Sequence, residues 1–146
     1  MRRTLLALAA CCLLAACAGH RPYSADYARN LSLLTSVQSG MRAAADVYTV
    51  DADCRAQPQG RVALDRPVID IGLPEGRASL LVIEFAGSGF LGSRRTSISR
   101  NVMLTPRAGR RYEARVEYRD DLYNVELKEI DPRSGASRDV DLRSRC

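Results

Sequence analysis

The chain has 146 residues and a mass of 16.0 kDa, with 46% hydrophobic residues and 22 Lys+Arg against 17 Asp+Glu. That length holds one small domain, which excludes a multidomain enzyme, and the composition is that of a folding chain rather than a disordered one. The positive excess is mild and interspersed with acidic residues, so it does not point to nucleic acid.

The first sixteen residues read as a targeting segment. Arg2 and Arg3 precede Leu5–Ala16, an unbroken apolar run of 12 residues. A membrane-crossing helix needs roughly 20, so residues 1–16 are a signal peptide rather than a permanent span. The run ends in Leu14-Ala15-Ala16-Cys17, which resembles the lipobox of bacterial lipoproteins. This resemblance covers residues 1–18 only. It implies cleavage before Cys17 and acylation of its thiol and its new amine, giving three chains. Because Ala18 rather than Asp follows, it also implies sorting to the outer membrane. At about 0.8 kcal/mol per buried CH₂ such an anchor is durable. The competing reading is an ordinary cleaved signal in which Cys17 is incidental.

Cysteine parity favours the anchor. Cys11 and Cys12 leave with the signal, so the mature chain keeps Cys17, Cys54 and Cys146, an odd number for an oxidising compartment. Acylation of Cys17 restores the even count. A Cys54–Cys146 disulfide is then expected, closing 92 sequence positions, which chain-entropy arguments value at about 4–5 kcal/mol.

Residues 17–26 read as the lipidated N-terminus and a polar tether, and residues 27–146 as the folded domain. Within 27–47, Tyr27, Leu31, Leu34, Met41 and Ala45 fit one helical stripe, so a short helix is expected there despite Gly40. From Val47 onward, short apolar segments broken by Gly, Pro and Asp give the pattern of an all-β domain. The expectation is a small antiparallel β-sandwich of about seven strands, near 46–51, 61–71, 78–86, 95–104, 111–119, 122–130 and 137–142.

One hairpin can be read by residue. Tyr112, Ala114, Val116 and Tyr118 alternate with Glu113, Arg115, Glu117 and Arg119, giving one buried and one wet face. With Asp120-Asp121 as a two-residue turn, Tyr118 faces Tyr123, Val116 faces Val125 and Ala114 faces Leu127. On the other face the same register sets Arg115 against Glu126 and Glu113 against Lys128. Each opposite-charge pair adds about 0.2–1 kcal/mol, and a one-residue slip destroys both patterns.

Constellations for catalysis are scarce. The only histidine is His20, in the tether, so Ser-His-Asp, Cys-His and histidine-rich zinc sets cannot assemble in the domain. A Ser-Lys dyad would need Lys128, which the hairpin register places on the wet face opposite Glu113. Gly87-Ser88-Gly89-Phe90-Leu91-Gly92 matches a dinucleotide fingerprint in letters, but no apolar helical period follows it, so neither a nucleotide nor another cofactor is expected. It reads instead as a loop whose Phe90 and Leu91 can contact another protein. Arg94 and Arg95, with Arg100, Arg107, Arg110 and Arg111, form a basic sector suited to lipid phosphates or carboxylates, or simply to solvent. Acidic pairs such as Asp51 with Asp53 are those of turns, and no metal site is expected.

Residues 104–130, with Gly109 at a turn and Tyr112 in a core position, resemble the sheet segments of small, largely uncharacterised bacterial lipoproteins. The expectation is a non-enzymatic, lipid-anchored module of the outer membrane. It faces the periplasm and binds an envelope protein through edge strands and the 87–95 loop. The alternative is a lysozyme-inhibitor-like periplasmic lipoprotein. Ala108-Gly109-Arg110-Arg111-Tyr112 resembles the Ser-Gly-x-x-Tyr loop of that family, with Ala108 where a serine hydroxyl belongs.

Overall fold

The computed structural model describes residues 20–88 and 95–142, and among these every regular element is a strand. In chain order they are β1 (Arg29–Val37), β2 (Met41–Val50), β3 (Ala56–Ala63), β4 (Val68–Gly72), β5 (Ser79–Ser88), β6 (Arg95–Leu104), β7 (Arg111–Arg119), β8 (Leu122–Ile130) and β9 (Ser137–Asp139). Two sheets face each other, one of order β4-β1-β7-β8-β9 and one of order β3-β2-β5-β6. All pairings are antiparallel except β1 with β7. The all-β sandwich is as expected, with nine strands among the described residues instead of about seven.

The helix expected within 27–47 is absent, and β1 and β2 occupy its place. Leu31 and Leu33 point into the core from one strand, and Ala43, Ala45 and Val47 from the other, so the operative period is two. Gly40 separates the strands with φ +86, a conformation that passes the chain from one sheet to the other. The single strand expected over 61–71 is two strands, β3 and β4, in different sheets. Asp65, Arg66 and Pro67 break it, and Pro67 lies just outside β4.

The hairpin β7–β8 has the expected register. Tyr118 pairs with Tyr123, Val116 with Val125, Ala114 with Leu127, Arg115 with Glu126 and Glu113 with Lys128. Asp120 and Asp121 both have positive φ, 51 and 61, as a tight type I′ turn requires. Tyr123, expected in the apolar face, is 42% exposed at the sheet end, with its ring 6.3 Å from Phe85.

Between the sheets lie Leu31, Leu33, Val47, Leu81, Ile83, Phe85, Val102 and Val116, all essentially solvent-free. Asn30 ties β1 to the segment after β4: its amide nitrogen donates to the Leu73 carbonyl and its amide oxygen accepts from the Leu73 N–H, both at 2.9 Å. Ser79 is a flaw in this core, because its hydroxyl is fully buried without a hydrogen-bond partner. Ser79→Ala removes that cost and is expected to raise stability by about 0.5–1 kcal/mol. Thermal unfolding monitored by circular dichroism checks this.

Candidate functional site

The densest polar cluster lies at the end of the sandwich where β7 begins and β8 ends. Along β8 the inward positions run Val125, Leu127, Glu129, so the two-residue period carries a carboxylate to the margin of the core. Glu129 is only 6% exposed. Burying a charge is costly unless it is paired and hydrogen-bonded, and this one is. Its strand partner Tyr112 donates the phenol proton to Oε2 at 3.1 Å. Arg107, in the turn before β7, grips the carboxylate with two bonds, Nε to Oε2 at 3.0 Å and Nη2 to Oε1. Arg138 on β9 adds Nη2 to Oε2 at 3.2 Å, and Arg110 Nε lies 4.0 Å from Oε1 while pairing with Asp131.

The electrostatics follow from this geometry. Hydrogen bonds from Arg107 and Tyr112 and the charge of Arg110 outweigh burial and hold the Glu129 carboxyl below the usual carboxylate range. Burial, with the adjoining carboxylate, pushes the Tyr112 phenol up, so it stays a donor to Glu129 while its oxygen accepts the Arg107 N–H at 3.0 Å. A cleft of about 400 Å³ opens beside the cluster, lined by Met103, Thr105, Arg107, Tyr112, Glu129 and Arg138. Three guanidiniums against Glu129 and Asp131 make a cationic rim capable of holding a carboxylate or phosphate. Arg107 and Arg138 stay about half exposed or more, at 53% and 63% of their side-chain surface.

The basic sector expected from sequence is therefore divided. Arg107 and Arg110 turn onto acids, Arg111 and Arg100 are exposed, and Arg95 begins β6. Phe90, Leu91 and Arg94 lie outside the described residues, as do Cys17 and Cys146. Cys54 sits in the loop between β2 and β3 with φ 63 and is not a free thiol. Asp51 and Asp53 organise that loop: Asp51 accepts the Asp53 and Arg55 N–H groups at 3.0 and 2.9 Å, and both carboxylates pair with the Arg55 side chain.

Sequence reasoning missed Glu129. The hairpin register already opposes it to Tyr112, and continuing the inward series of β8 by one step finds it.

A second network crosses the outer face of the four-stranded sheet. Arg61 on β3 pairs with Glu84 on β5 and approaches Asp46 on β2 at 3.7 Å, and Ser97 on β6 donates to Glu84 at 2.8 Å. The bonds from Arg61 and Ser97, with the charge of His20, hold Glu84 below the usual range. His20 lines a cleft with Asp46, Tyr48 and Pro58 beside this face.

Residues 21–23, within the stretch expected as a tether, lie against the fold. Tyr23 N–H donates to the Arg61 carbonyl at 2.9 Å and Arg61 N–H to the Arg21 carbonyl at 2.8 Å, so residues 21–23 lie along the outer edge of β3. The Tyr23 hydroxyl then reaches across to the Gly72 carbonyl at 2.5 Å, joining the two sheets along one side. Gly60 permits this approach. It has φ +146 beside a bulge in β3, and a Cβ there would stand 2.7 Å from Tyr23 Cα.

Comparison with known proteins yields no family model, no curated protein and no solved structure that matches this chain.

Proposed function

We propose that this chain is a lipid-anchored, non-enzymatic binding module of the outer membrane, facing the periplasm, which engages an envelope protein by strand addition at β6. The observation that carries the contact surface is the contrast among sheet edges. The edge of β3 is occupied by residues 21–23, whereas β4 and β9 are short. β6 is ten residues long, and among the described residues Ser97–Val102 has a strand only on its β5 side. A long edge with unpaired backbone donors and acceptors is a template for an incoming strand. Its exposed Ser97, Ser99, Arg100 and Asn101 keep it soluble until a partner arrives. The resemblance of Leu14-Ala15-Ala16-Cys17 to a lipobox supports the anchor.

Tyr112 does not favour lysozyme inhibition. Its ring is in the core and its hydroxyl is committed to Glu129 and Arg107, whereas a plugging loop would have to present it.

A photocrosslinking amino acid at Ser99 in the full-length chain is expected to give one dominant adduct in cells, lost in a Cys17→Ala background. The same group at Lys128, on the charged face, is expected to give none. Equal or absent adducts from both positions remove the β6 reading.

A further inference from the structure

We infer that Arg100 selects what adds to β6: the incoming segment carries an aspartate or glutamate opposite it, with apolar neighbours in the same row, and a second copy of this chain is refused. The inference rests on the β6 reading and names the chemistry of the strand that fits there.

In the pairing of β5 with β6, Phe85 stands beside Ile98, Ile83 beside Arg100 and Leu81 beside Val102. Residues paired across an antiparallel ladder share a face, and Phe85, Ile83 and Leu81 are buried in the core. The core-side row of β6 therefore reads Ile98, Arg100, Val102, with a guanidinium leaving the strand on its inner side. The edge position makes this tolerable, because Arg100 is exposed and its charged head stays in water. Among the described residues its side chain has no ion pair or hydrogen bond. The opposite row of the same stretch is neutral, with Ser97, Ser99 and Asn101, and Glu84 behind it is held by Arg61 and Ser97.

That lone charge sorts partners. Backbone groups of an edge pair with any strand, so specificity falls to the side chains beside them. A strand laid along Ser97–Val102 removes water from the core-side row, where an unpaired guanidinium is costly and one facing a carboxylate is not. Opposite charges across a ladder stabilise it, and like charges directly opposite destabilise it. A second copy fails on this ground. In a symmetric antiparallel pair of β6 edges, the residue at the two-fold axis faces itself. With the axis at Arg100 the two guanidiniums stand directly opposite, and with the axis at Ser99 they stand on a diagonal. An inward-pointing charge on an edge strand blocks such self-addition.

The full-length chain with a photocrosslinking amino acid at Ser99 is expressed in cells with Arg100 kept, or replaced by Lys or Glu. Because reversing one charge of a close pair turns attraction into repulsion, adduct yield is expected to stay within about threefold for Arg100→Lys and to fall about tenfold or more for Arg100→Glu. Peptide mapping of the adduct locates the captured segment. Changing the acidic residue of that segment to Arg is expected to restore the yield of Arg100→Glu, a rescue that a merely structural role for Arg100 would not give. A yield unmoved by Arg100→Glu, a failed rescue, a captured segment without an acid, or capture of β6 from another copy overturns the inference and leaves β6 a contact edge. Equal or absent adducts from Ser99 and Lys128 in the unaltered chain overturn the β6 reading and the inference with it.

Discussion

Glu129→Gln is expected to lower unfolding free energy by about 2–3 kcal/mol at neutral pH, because it removes one partner of a buried, multiply bonded ion cluster. The value sits at the low end for such a change, since Arg107 and Arg138 face solvent and rehydrate once released. The pH profile is the sharper test. A carboxyl whose pKa is depressed by folding contributes stability that is present above its unfolded value, about 4.3 for Glu. That stability is lost as pH falls through the lower folded value. Glu84 and Asp131 are shifted the same way, by Arg61 in the first case and by the Arg133 N–H and Arg110 in the second. The unaltered protein is therefore expected to lose stability on acidification below about pH 4, with the gap to Glu129→Gln closing over the same window. Urea unfolding at a series of pH values measures both. A gap constant down to pH 2 contradicts an ionised Glu129 held by Arg107.

Gly60→Ala is expected to cost about 2–4 kcal/mol and to free the N-terminal segment. The new methyl meets the Tyr23 backbone, and φ +146 is a conformation that side chains avoid. Two losses should appear together. Amides of Tyr23 and Arg61, which donate across this contact to the Arg61 and Arg21 carbonyls respectively, should lose protection against hydrogen exchange. The bond from Tyr23 to Gly72 should also go, so the seam between the two sheets opens at the same time. Unchanged protection of both amides would mean that residues 21–23 are held by something other than the edge of β3.

How much of this was legible from the letters depended on how local each interaction is. In β7–β8 the alternation, the charge pairs and the two-residue turn all specify one register, and strand limits at 95–104, 111–119 and 122–130 coincide with those observed. The N-terminal region misled because Leu31, Leu34, Met41 and Ala45 satisfy a helical period by chance. The deciding interactions are distant: Asn30 to Leu73, and β1 to β4 and β7. No local pattern announces a parallel partner so far along the chain. Glu129 escaped for another reason. A charged residue at an inward position reads as the end of the buried face, and only the arrival of Arg107 and Arg138 from other elements makes it a tenable core residue.

The parallel pairing of β1 with β7 also bears on how such a chain matures. Leu31 is met by Tyr112, about 80 residues further along, and β1 holds a central place in its sheet. A chain delivered N-terminus first exposes Leu31 and Leu33 before their partner strand exists. At synthesis rates of about 5–20 residues per second that interval lasts several seconds. During it the earlier segments can complete the β3-β2-β5-β6 sheet but not its facing layer. Half the sandwich must wait, adhesive and unroofed, which makes this small domain a natural client for holding chaperones.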